Sequence, residues 1–132
     1  MTLKVLQPRG WKRPKGYSNG ISAKGRIIFV SGVIGWDKHG RLAAADFAGQ
    51  VRQALENIVA ILAEDGAKPG HLVRMNWFVL DKKEYLNAFK DIGKTYRQII
   101  GRHYPAMTAV EVSGLLEQGA RVEIEATAVV PE

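Results

Sequence analysis

Pro105-Ala106-Met107-Thr108-Ala109-Val110-Glu111-Val112, followed by Val122-Glu123-Ile124-Glu125-Ala126, decides how this chain is read. β-Branched and apolar residues alternate with polar ones in both segments, and Gly114 and Gly119 bracket the connection, so both predict strands. In the first, Ala106, Thr108, Val110 and Val112 share one face, and Met107, Ala109 and Glu111 the other. In the second, Ala120, Val122, Ile124, Ala126 and Ala128 oppose Arg121, Glu123, Glu125 and Thr127. Glu111, Glu123 and Glu125 thus stand on strand faces, where carboxylates are rare unless paired, solvated or used.

Working outward, Asp46 to Asp65 predicts a helix: Phe47, Val51, Leu55, Ile58 and Leu62 recur at helical spacing. Asp46 is its candidate N-cap and Gly66 its stop. Leu72 to Leu80 predicts a strand with Val73, Met75, Trp77 and Val79 on its apolar face. Asp81-Lys82-Lys83-Glu84 resembles a capping box opening a second helix that runs to Gly101, with Gly93 inside it. Upstream, Leu3 to Leu6 suggests an edge strand. Ile21 to Ala23 and Arg26 to Gly35 suggest a hairpin about Lys24-Gly25, the latter run being apolar enough for a central strand. The order is βββαβαββ, an α+β domain. Two helices cover only one face of a mixed sheet, so self-association through the other face is the simplest expectation.

At 132 residues the chain is one domain, residues 1–132. No apolar run approaches a membrane span, and the first residues lack the apolar core of a signal peptide, so a cytoplasmic location and no membrane partner are expected. Cysteine is absent, which excludes disulfides and thiolate chemistry. His39, His71 and His103 are scattered, and no HExxH, GxGxxG or P-loop motif occurs, so neither a metal nor a cofactor is expected. The net charge of +6 is read as a solvated basic surface rather than a nucleic-acid footprint, since no aromatic-interleaved basic motif accompanies it.

The C-terminal stretch resembles the signature of the RidA/YjgF family. Gly16-Tyr17-Ser18, Phe29-Val30-Ser31-Gly32-Val33-Ile34, Gln53-Ala54-Leu55-Glu56-Asn57-Ile58 and Asp65-Gly66-Ala67 resemble other family motifs, in the same order. The resemblance implies a chorismate-mutase-like fold and a homotrimer with its sheets facing inward and its ligand clefts between subunits. It implies hydrolytic deamination of imines or enamines, with Glu123 positioning or activating water and Tyr17 beside it. Ser31, Gly32, Ala106 and Met107 are the implied ligand contacts, and Asn87 lies near the place of a helix asparagine. Met107 stands where deaminating members carry a carboxylate-binding arginine, and a thioether cannot replace a guanidinium. Activity on simple 2-imino acids is therefore expected to be weak or absent. Arg102 is the nearby substitute cation in sequence. The alternatives are a non-catalytic trimer that binds a small metabolite, and an RNA-binding or endoribonuclease role.

Overall fold

The structure is a computed structural model and describes residues 3–132. Six strands and three helices follow the chain: β1 (Leu3–Leu6), β2 (Gly20–Ala23), β3 (Arg26–Val33), α1 (Phe47–Ala63), β4 (Leu72–Val79), α2 (Lys82–Asn87), α3 (Phe89–Ile99), β5 (Ala106–Glu111) and β6 (Val122–Val130). β1 and β2 form an antiparallel ribbon, and the other four strands form a sheet in the order β3-β6-β4-β5. β4 and β5 run parallel, while the other pairs are antiparallel. The α+β class with a mixed sheet is therefore as expected from the sequence.

Helix α1 forms where its period demands. Asp46 caps it by accepting from the Gly49 N–H, and Phe47, Val51, Ala54, Leu55, Ile58 and Leu62 are buried. This stripe packs on Val30, Met75, Trp77, Val122, Ile124, Ala126 and Ala128, which face the same side of the sheet. Burial of such side chains contributes roughly 1.5–3 kcal/mol each before chain entropy is subtracted. The packing is close enough to fix a glycine: a Cβ on Gly35 would lie 2.8 Å from the backbone of Gln50.

Four expectations are corrected. The hairpin between Ile21–Ala23 and the following strand does not form: β2 pairs with β1, and β3 pairs with β6. Gly25 adopts φ 150°, and any Cβ there would strike the Val130 carbonyl, so Lys24-Gly25 redirects the chain along the end of β6. Nor is β3 a central strand; it lies at one end of the sheet order. Its apolar content serves two faces, with Val30 and Val33 buried and Ile27 and Phe29 exposed. The single second helix is two helices, broken at Ala88 (φ −93°, ψ 6°). On β4, a register shift between Leu72 and Arg74 puts Leu72 rather than Val73 in the buried set.

All three helices belong to one side. The opposite face of the sheet carries Ile27, Phe29 and Ser31 on β3, Glu123, Glu125 and Thr127 on β6, Arg74, Asn76 and Phe78 on β4, and Thr108 and Val110 on β5. No helix among the described residues covers it. No helix among the described residues is long and apolar enough to cross a membrane.

Candidate functional site

The six residues singled out in the sequence fall on two sides of one sheet. Strand alternation decides this: Met107 pairs with Met75 on the helix side, whereas Glu123 pairs with Phe78 on the open side.

On the open side Glu123 stands against Gly32. A Cβ built on Gly32 would lie 2.5 Å from the Glu123 carboxylate oxygen, so the missing side chain is the space that the carboxylate occupies. Glu123 is half-buried and has no ion-pair partner among the described residues. Two arginines of the neighbourhood are engaged elsewhere: Arg121 binds Glu84 at 2.8 Å, and Arg74 reaches Thr108 Oγ1 at 3.4 Å. The other strand carboxylates are also committed. Glu125 accepts from Asn76 Nδ2 at 2.9 Å, and Glu111 accepts from the Lys82 N–H at 2.8 Å. Ser31 lines a shallow depression with Phe29, Arg74, Asn76, Glu125 and Thr127.

On the helix side, Tyr17 and Met107 line one small cavity with Lys15, Tyr85, Phe89 and Ala109. It adjoins a larger cavity of about 630 Å³, walled by Trp77, Tyr85, Phe89, Tyr96, Tyr104 and Met107 and rimmed by Lys15, Lys90 and Arg97. The aromatic rings hold one another. Tyr85 meets Trp77 at 6.2 Å and Phe89 at 5.9 Å edge-on, and Tyr96 stacks on Tyr104 at 5.4 Å. The Tyr96 hydroxyl donates to the His103 carbonyl at 2.6 Å. Burial, with Tyr104 beside it, holds the Tyr96 phenol far above its ordinary range, so it stays a neutral donor. Tyr85 is likewise pushed up by burial.

Hydrogen bonds from the next residue, Ser18, seat Tyr17. Ser18 Oγ donates to the Tyr104 carbonyl, and the Ser18 N–H donates to Pro105 O at 3.0 Å. The segment thus runs beside β5, where Ser18 bridges Ala106. Ala106 pairs with Arg74 on the open side and lines neither helix-side cavity. Asn87 ends α2, and it is Phe89 that enters the cavities; Arg102 does not line them. The structure therefore brings Gly32 and Glu123 together, sets Ser31 in a depression with Glu125 instead, and brings Tyr17 and Met107 together separately. Sequence reasoning missed the contribution of Lys15, Tyr85, Lys90 and Arg97. For Tyr85, Lys90 and Arg97 the helical spacing in α2 and α3 was the available signal, but it says only that they share a face; Lys15 lies in a loop and carried no such signal.

No group of three or more metal-ligating side chains occurs among the described residues. His71 Nδ1 accepts from the Lys68 N–H at 2.9 Å, and His103 Nε2 donates to Leu72 O at 2.6 Å.

The family model described as Endoribonuclease L-PSP matches residues 11–130. A 2-iminobutanoate/2-iminopropanoate deaminase of Salmonella typhimurium is 36% identical over 116 residues, covering 86% of each chain. A RutC family protein of Pyrococcus abyssi is 36% identical over 130 residues, 97% of this chain and 98% of that one. Among solved structures, a Yersinia pestis protein of the conserved Rid family superposes with a TM-score of 0.85 at 28% identity, covering 98% of this chain and 100% of the other. The paired strands, the segment carrying Tyr17 and the cleft beside Met107 thus sit in a chain that belongs to the Endoribonuclease L-PSP family, that is, RidA/YjgF.

Proposed function

We propose that this protein hydrolyses small imines or enamines in clefts formed between copies of the chain, as a homotrimer packed through the open sheet faces. One observation carries the reading. Glu123, with Gly32 making room for it, and the Tyr17–Met107 cleft lie on opposite sides of the same sheet. Neither half is a site alone. A neighbour whose β5 edge meets the open face brings its own Tyr17–Met107 cleft to this chain's Glu123. The deaminases that share 36% of their residues with this chain supply the reaction class.

In this scheme Glu123 takes a proton from water as the water oxygen bonds to the C=N carbon. The nitrogen is protonated, the tetrahedral carbinolamine forms, and its C–N bond breaks to release ammonia and leave a carbonyl. One imine and one water give one carbonyl compound and one ammonia, with no oxidant or cofactor. The carboxylate contributes as a general base, typically worth about 10²–10⁴-fold. Met107 gives the cleft wall no charge, so a 2-imino acid of three or four carbons loses a contact worth about 1.5–3 kcal/mol.

The test is ammonia release from freshly generated 2-aminoacrylate by wild type, Glu123→Gln and Met107→Arg. Wild type should be slow, Glu123→Gln should lose at least about 100-fold in kcat, and Met107→Arg should gain in kcat/KM. Turnover that survives Glu123→Gln unchanged would refute the role given to this carboxylate. Saturable thermal stabilisation by a metabolite without any turnover would make the same clefts a binding device.

A further inference from the structure

The helix-side groove has features that a cleft for the smallest imino acids does not need. Its larger cavity, at about 630 Å³, equals the space of roughly twenty waters, whereas a four-carbon imino acid has about seven heavy atoms. The volume lies within the ~300–1,000 Å³ typical of sites that enclose larger ligands. The wall is a continuous aromatic series, Trp77, Tyr85 and Phe89 edge to face, with Met107 beside it. Phe89 is about half exposed, at 48%, and offers apolar surface that no described residue buries.

The charge is at the rim. Lys15, Lys90 and Arg97 border the groove, and no acidic side chain lines either cavity. None of the three cations is ion-paired among the described residues. Arg97 is placed by a gap in α3. Gly93 lies one turn earlier, and a Cβ there would approach Arg97 Nη1 to 3.3 Å. A glycine inside a helix is unfavourable relative to alanine; here it leaves the guanidinium room to lie along the helix at the cavity edge.

We propose that this groove selects a small monocarboxylate with a ring-sized apolar body, the body packed on Tyr85, Phe89 and Met107 and the carboxylate on the rim cations led by Arg97. This deepens the proposed function and rests on the groove being its ligand cleft. The anion is recognised at the outer edge rather than at Met107, so the length between ring and carboxylate becomes a selection rule. Guanidinium suits this task, since it pairs with a carboxylate through two parallel N–H···O bonds.

The experiment is calorimetric titration of the purified oligomer at low salt with 3-phenylpropionate, propionate and 3-phenylpropanamide. 3-Phenylpropionate should bind at least about tenfold more tightly than either relative, the ratio expected of one charge-assisted contact. The variant Arg97→Gln with Lys90→Gln should bring the acid down to the amide while amide binding persists, which also shows that the groove is folded. Equal affinities for the three probes, no binding of the aromatic acid, or an acid affinity unmoved in the variant would each overturn the proposal. Ammonia release from 2-aminoacrylate by the same preparation separates the two readings. Turnover without 3-phenylpropionate binding sinks ligand selection alone, and binding without turnover of any imine sinks the deaminase reading alone.

Discussion

Gly32 and Glu123 compete for one small volume. The carboxylate fills the place where a Gly32 side chain would project, so Gly32→Ala must push it aside. The outer end of a flexible side chain gives way more cheaply than backbone does. The fold should therefore survive at a cost of about 1–3 kcal/mol. The displaced carboxylate should lower kcat/KM for imine hydrolysis by about 10²-fold, read by ammonia release beside a thermal melt. Equal activity in the variant would show that the carboxylate's position is irrelevant. At this scale the sequence was legible one residue at a time. Glu123, Gly32, Tyr17 and Met107 each stood out by motif or period. That Gly32 is a vacancy for Glu123 was not legible, because the two meet across β3 and β6 at a register shift between Val30 and Val33.

At the scale of the element, α1 holds the loops as well as the core. Gln50 is fully buried, yet its Nε2 donates to Ala44 O at 3.1 Å and Gly119 O at 3.0 Å, and its Oε1 accepts from the Arg121 N–H at 2.8 Å. Asn57 further along donates to Ile34 O at 3.1 Å and Trp36 O at 2.9 Å. One helix face thus ties down both the loop that precedes it and the one that enters β6. Gln50→Leu keeps the volume but strands two carbonyls and an N–H, and should cost about 2–4 kcal/mol in urea unfolding. A loss below about 0.5 kcal/mol would mean that water replaces the amide. The period that revealed α1 counts apolar residues, so Gln50 passed unnoticed on the same stripe. The break at Ala88 was equally hidden, because alanine is the best helix former and no local propensity marks it. Its reason is packing: Tyr85 must meet Phe47 and Trp77 edge-on while Ile92 and Tyr96 stay buried. The failed hairpin has a similar cause. Lys24-Gly25 signals a turn, but contacts distant in sequence select the partner strand.

For the whole molecule, the decisive feature is the side of the sheet without helices. Phe29 is 78% exposed and Ile27 57%, and Val110 stands on the same face. An apolar face of this kind marks an interaction surface, and identical copies are the economical partners for it. Counting helices in the sequence was enough to foresee an open face, since two helical segments cannot cover both sides. Which apolar residues it would carry was not foreseen, because β3 was read as central. Phe29→Asp places a charge on this face without touching the core. On the proposed reading it should convert the homotrimer to a smaller species by analytical ultracentrifugation and lower imine hydrolysis at least about tenfold with it. An unchanged sedimentation coefficient would exclude this face as the contact.

Glu123 and Met107 lie on opposite faces of one sheet, with a whole strand between theirs. On the proposed reading, one isolated copy therefore carries fragments of two different reaction centres and completes neither. Cellular abundance then acts as a control variable, since halving the supply of chain removes encounters as well as copies. Output would fall more steeply than gene dosage, and a copy damaged in one fragment would still lend its intact fragment to a neighbour.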